Sequence, residues 1–134
     1  MYNLINIKKW HDGLVSGYYQ QGSGTLVKDS LYCCLGVACH LAIKDGAPLL
    51  EVDDEDGHGF ERVAANYMET DTLPPEVKEW LGIQQGDPEL ATESDGYVTA
   101  SSLNDEAVYN FAQIAECIVR TWPDAFVSMN EVTS

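Results

Sequence analysis

A chain of 134 residues, 45% of them hydrophobic, is long enough to bury one core and short for two. Its 22 Asp and Glu against 7 Lys and Arg leave a net charge of -15, a surface that repels nucleic-acid phosphates and anionic membranes and so argues against direct binding of either. No apolar run follows the lysines of "MYNLINIKKW", and nowhere do about 18 uncharged apolar residues run together. The expectation is one soluble cytoplasmic domain over residues 1–134 with its four cysteines reduced.

The first element predicted is an amphipathic helix from about Asn3 to Ser16, with Leu4, Ile7, Trp10 and Leu14 at helical spacing and Gly17 where a C-terminal cap would sit. A turn follows, then a short strand over Thr25 to Val27. Ser30 is placed to cap a helix through "SLYCCLGVACHLAIKDG", in which Cys34, Val37, Ala38 and Leu41 share one face. Gly36 inside it costs about 1 kcal/mol relative to Ala, which points to another backbone passing close by, with Trp10 or Tyr32 as cover.

Leu49 to Val52 reads as a strand and Asp56-Gly57 as a turn, after which "ERVAANYM" has helical character. Pro74-Pro75 opens a short helix bearing Val77, Trp80 and Leu81, and Gly82 stops it. A hairpin is expected around Ser94-Asp95-Gly96. Asn104 or Asp105 is then placed to cap a last helix with the stripe Val108, Phe111, Ile114, Ala115 and Ile118, ended by Trp122-Pro123. A loose tail from about 128 completes an α+β reading: a helix-rich domain with a small antiparallel sheet or hairpins packed against about four to five helices.

The cysteine-rich stretch invites a chemical reading. Positions 33, 34, 39 and 40 lack the three- or four-residue separations that let one helix present several metal ligands, and no second Cys/His pair follows. No metal is expected. Bridging adjacent Cys33 and Cys34 would strain the intervening peptide. A nucleophile is better founded, because a cysteine in the first helical turn gains acidity from the helix dipole. Cys33 or Cys34 would then use His58, oriented by Asn66, Asp71 or Asn104. Against this, no glycine-rich run or Gln precedes the cysteines, and their apolar neighbours favour packing. His40 and His11 are placed on helix flanks.

"VDDEDGHGFERV" resembles a calcium loop only in part. Asp54, Asp56 and Gly57 could fill positions of one, but Val52 and Val63 replace its first and last ligands. Phosphate loops, dinucleotide fingerprints, HExxH and GxSxG are all missing from the sequence, so no cofactor is expected. Tyr18, Tyr19, Trp10 and Tyr32 could line a small-ligand pocket, or simply be core.

The charge is unevenly placed. From Asp45 to Glu106 there are seventeen acids against Arg62 and Lys78, while five acids and five bases cancel over the rest. That block, with Asp53, Asp54, Glu55 and Asp56 at its centre, favours a basic partner through opposed fields. Solubility alone is the plainer explanation of the acidity.

The segments "LVSGYYQ", "YCCLGVACHLA", "LPPEVKEWLGI" and "SLNDEAVYNFAQIAECI" together resemble a group of small bacteriophage and prophage proteins with a YCCLGV signature, over Trp10 to about Val119. The resemblance implies a phage accessory protein in a bacterial cytoplasm and transfers no catalytic residue. Three functions remain open on the sequence. The first is a non-enzymatic binder, using Asp53 to Asp56, that inhibits a basic nucleic-acid-binding or defence protein by mimicking nucleic acid. The second is a cysteine hydrolase or transferase, and the third a ligand-binding or oligomer-forming domain.

Overall fold

The computed structural model describes residues 1–127, so the tail expected from 128 lies outside the described residues. Helix α1 (Leu4–Val15) starts at Asn3, whose side chain accepts the Asn6 N–H at 3.1 Å. It buries Ile7, Trp10 and Leu14 on one stripe. Strands β1 (Gln20–Gln21), β2 (Val27–Lys28) and β3 (Leu31–Tyr32) form a small sheet in the order β1-β3-β2, with β1 parallel and β2 antiparallel to β3.

Asp29 and Ser30 make the two-residue turn between β2 and β3, with φ of 54° and 66°. This left-handed pair is what a type I′ hairpin turn demands. Ser30 is therefore a turn residue and not a helix cap, and the strand falls at Val27–Lys28 instead of Thr25 to Val27.

Helix α2 (Cys34–Lys44) follows Cys33, and Cys34, Leu35, Gly36, Val37, Ala38, Cys39 and Ala42 are all buried. A helix apolar on nearly every side belongs at the centre of a core. Trp10 Nε1–H donates to the Cys34 carbonyl at 2.9 Å, which ties α1 to its first turn. The backbone expected near Gly36 is that of Leu26, whose carbonyl oxygen occupies the space a Cβ would need.

Strands β4 (Leu49–Asp54), β5 (Gly57–Arg62) and β6 (Tyr67–Glu69) form an antiparallel sheet in sequence order. The helical character read into "ERVAANYM" is overturned: β5 runs to Arg62, and the chain turns back through Asn66, at φ 50°, to pair as β6. Helix-forming residues yield here to the strand partner, as tertiary context overrides propensity.

Helix α3 (Pro75–Leu81) ends at Gly82, whose φ of 72° and contact with the Met1–Asn3 backbone leave no room for a side chain. The Asn3 N–H donates to the Leu81 carbonyl at 2.9 Å, so the end of α3 holds the start of α1. Strands β7 (Glu89–Ala91) and β8 (Tyr97–Thr99) make the expected hairpin.

The last helical stretch is two helices, α4 (Ala100–Asp105) and α5 (Phe111–Thr121). Asn104 and Asp105 end the first and do not cap the second. The cap of α5 is Asn110, which accepts the Gln113 N–H at 2.9 Å while the Gln113 side chain accepts the Asn110 N–H at 2.9 Å. Val108, expected on the buried stripe, is exposed between them at φ 57°. Phe111, Ile114, Ala115 and Ile118 join α1 and α2 in one core with Leu26, Phe60, Val77 and Leu90. The result is an α+β domain of five α-helices and three small sheets among the described residues.

Candidate functional site

The β4–β5 turn places the predicted acidic group. Asp54 pairs with Gly57, leaving Glu55 and Asp56 as the turn, and the Asp56 N–H donates to Asp54 Oδ1 at 2.8 Å. Asp54, Glu55 and Asp56 are exposed at the tip. The calcium-loop comparison fails on geometry, since this segment is a tight hairpin.

Asp53 is not part of that tip. Side chains alternate along a strand, and this one faces the β2–β3 turn, where its oxygens accept the N–H groups of Asp29 and Ser30, both at 2.8 Å. His58, opposite on β5, donates from Nδ1 to the same carboxylate at 2.8 Å. Burial alone would raise its pKa, but the Ser30, His58 and Asp29 donors outweigh that and hold the Asp53 carboxyl below its ordinary range. Asp53 thus forms the clasp between two sheets, and Asp54, Glu55 and Asp56 are the exposed members of the predicted group.

Asp29, Asp53 and His58 bring three potential ligand atoms within 4.8 Å of one another. Three N–H donors already meet the Asp53 oxygens, so a cation would have to compete with the bonds that hold the turn.

Beside this clasp opens a cleft of about 790 Å³, walled by the Gln21–Thr25 loop, the β2–β3 turn, the end of α4 and Val108–Asn110. Its floor is Asn104, the one buried polar residue among those described. Asn104 Oδ1 accepts Gln21 Nε2–H at 2.9 Å and the Cys34 N–H at 3.2 Å, and Nδ2 donates to the Gly22 carbonyl and to Asp105 Oδ1, both at 2.8 Å. Every donor and acceptor of the amide is used. Asn104 therefore caps a helix, but it is α2, seventy residues away in sequence. Sequence spacing gave no sign of this, nor of Gln21 and Asp105 as cleft residues. The only available signal was a polar residue within an otherwise apolar helical face.

Cys33, Cys34, Cys39 and Cys117 are all buried free thiols. At Cys33, burial pushes the thiol up to about 11, although the N–H groups of Gly36 and Leu35 pull the other way. The helix-start effect is present and burial exceeds it. Burial raises Cys34 and Cys39 well above the ordinary thiol range. His58 is engaged with Asp53, and Cys34 Sγ faces the Ala100 carbonyl at 3.5 Å.

The aromatic residues divide. Trp10 is wholly buried, while Tyr19 and Tyr32 pack edge-on at 5.2 Å. Tyr19 Oη and His40 Nδ1 are 2.6 Å apart, which leaves His40 hydrogen-bonded at the flank of α2 as expected. His11 similarly meets Asp12 at 2.9 Å on α1. Tyr32 donates to Glu51 at 2.8 Å, joining β3 to β4.

Fold and site together define an α+β domain with an acidic hairpin tip and an adjoining polar cleft. Among the described residues no helix is long and apolar enough to cross a membrane. The chain belongs to the family described as a domain of unknown function, DUF8296, which matches residues 3–122. No curated protein and no solved structure matches it.

Proposed function

We propose that this protein is a non-enzymatic acidic binder, of the phage accessory type and acting in a bacterial cytoplasm, that docks on a basic host or defence protein and inhibits it by standing in for nucleic acid. The observation that carries this reading is the exposed tip Asp54, Glu55 and Asp56 on a hydrogen-bonded hairpin, inside the span that holds the whole charge imbalance. A hairpin presents its carboxylates with little ordering to be done on binding. Opposed fields then speed encounter and select basic partners. Burial of the thiols supports a binder over the alternative with Cys33 or Cys34 as nucleophile. The resemblance to phage proteins with the YCCLGV signature supports the setting.

The test compares wild type with the Asp54→Lys, Glu55→Lys, Asp56→Lys triple variant as bait in bacterial lysate, Asp53 being kept because it holds the fold. Wild type should retain basic proteins at low salt and release them to added duplex DNA or to high salt. Retention of the same proteins by the triple variant, or indifference to DNA and salt, would sink the reading.

A further inference from the structure

The cleft beside the hairpin presents a set of free hydrogen-bond acceptors. Asn104 spends both amide hydrogens inside the fold. Gln21 spends both of its own, on Asn104 Oδ1 at 2.9 Å and the Tyr109 carbonyl at 2.8 Å, so what it has left to offer a ligand is Oε1. Asp105 Oδ1 is taken by the Gly24 N–H at 3.1 Å and by Asn104, which leaves Oδ2. Asp29 adds a second carboxylate to the lining. These free acceptors, two of them charged, share the lining with donors on Lys28, Ser23 and Asn110.

Two apolar side chains flank these acceptors. Leu31 and Val108 both line the cleft, and Val108 is 78% exposed. A β-branched residue at φ 57° is held in a conformation it disfavours. Here that conformation sets an isopropyl group on the rim of a polar cavity.

The cleft and the acidic hairpin are joined through the Asp53 clasp. Asp29 lines the cleft while its N–H is held by Asp53, which precedes the tip residues on β4.

We propose that this cleft receives an arginine side chain of the basic protein partner, with the guanidinium on Asp105, Asp29 and Gln21 Oε1 and its methylene stem along Leu31 and Val108. This rests on the proposed docking of a basic partner and names the contact that anchors it. A guanidinium has five N–H donors and no acceptor, so it complements the free acceptors of Asp105, Asp29 and Gln21. Its planar fork matches carboxylates in a way the ammonium of lysine does not. Long basic side chains also bury their stems on apolar surface. An arginine seated in a pocket at an interface is a common centre of binding energy. Lys28, the one base in the lining, opposes the guest.

The probes are fluorescent hexaarginine and hexalysine peptides, with binding measured by anisotropy at low salt. Wild type should hold hexaarginine about tenfold more tightly than hexalysine, as charged hydrogen bonds of ordinary strength would give. Asp29→Asn with Asp105→Asn keeps the shape, an acceptor for Gly24 and a residue tolerant of positive φ, and should erase most of that preference. Glu79→Gln with Asp95→Asn removes the same charge outside the cleft and should preserve the preference. Lys28→Gln should tighten hexaarginine.

Equal affinity of the two peptides for wild type, or a preference that survives the cleft variant, overturns the cleft assignment. If the Asp54, Glu55 and Asp56 reversal still weakens both peptides in that event, the docking reading stands without it. If neither peptide binds wild type at low salt, both are overturned.

Discussion

The backbone of Leu26 crosses helix α2 at Gly36, and its carbonyl oxygen takes the place of the missing side chain. That crossing cannot shift freely, because the Leu26 N–H donates to Thr70 at 2.7 Å and its carbonyl accepts the Cys33 N–H at 3.1 Å. Two effects oppose each other in Gly36→Ala. Helix propensity favours Ala by about 1 kcal/mol, whereas forcing a methyl group into packed backbone costs about 3 kcal/mol. The variant should lose about 2 kcal/mol net, seen as a lower urea midpoint with an unchanged slope.

Asp53 makes stability depend on acid. Its carboxyl is held below the ordinary range, so the folded chain gives up that proton more readily than the unfolded one. The resulting stabilisation is present above the unfolded value, about 4, and disappears as pH falls through the lower folded value. Asp53→Asn should cost about 2 kcal/mol at neutral pH, since the charge-assisted bonds from Asp29, Ser30 and His58 are weakened. At pH about 3 and below the gap between wild type and variant should narrow. Urea titrations at the two pH values measure it, and a constant gap would contradict the clasp.

The elements readable in the sequence were those whose own residues settle them. Helix α1 has its cap and stripe within twelve residues, and α3 has Pro at its start and Gly at its end. The burial of the Cys33–Cys39 stretch followed from its composition. What stayed hidden depends on distant partners. Asp53 looks like its neighbours Asp54 and Asp56 until a turn two dozen residues earlier comes within reach. Tyr67 and Met68 at the end of "ERVAANYM" are strand only because β5, which includes its first two residues, is there to pair with them. Asn104 suits a local cap equally well, yet it caps α2. The cleft joins four separate stretches, and no spacing within any one of them encodes it.

Asn104 should therefore be among the costly polar positions. Asn104→Leu loses the amide donors to the Gly22 carbonyl and to Asp105, together with the amide oxygen, in a buried place. Breaking such a network leaves buried groups unpaired, at a cost of about 3 kcal/mol. The change also removes the oxygen that accepts the Cys34 N–H at the start of α2. Hydrogen exchange at the Cys34 amide should speed up more than at amides in the middle of α5, whose hydrogen bonds do not involve Asn104. Uniform acceleration across the chain would mean general destabilisation and no specific cap.

The thiols provide the last check, because their chemistry separates packing from catalysis. A catalytic cysteine needs an accessible thiolate near neutral pH. Here burial pushes Cys33 to about 11 and raises Cys34 and Cys39 further from reactivity, and Cys117 is also raised by burial despite the opposing effect of Arg120. Iodoacetamide at pH about 7.5 should label the native protein far more slowly than a free cysteine, and label all four positions promptly in urea. Since labelling must wait for opening, any destabilising change, Gly36→Ala included, should accelerate it by the factor its loss of stability predicts, about thirtyfold for 2 kcal/mol. A single cysteine that reacts fast in the folded protein, with the others silent, would return Cys33 or Cys34 to the position of nucleophile.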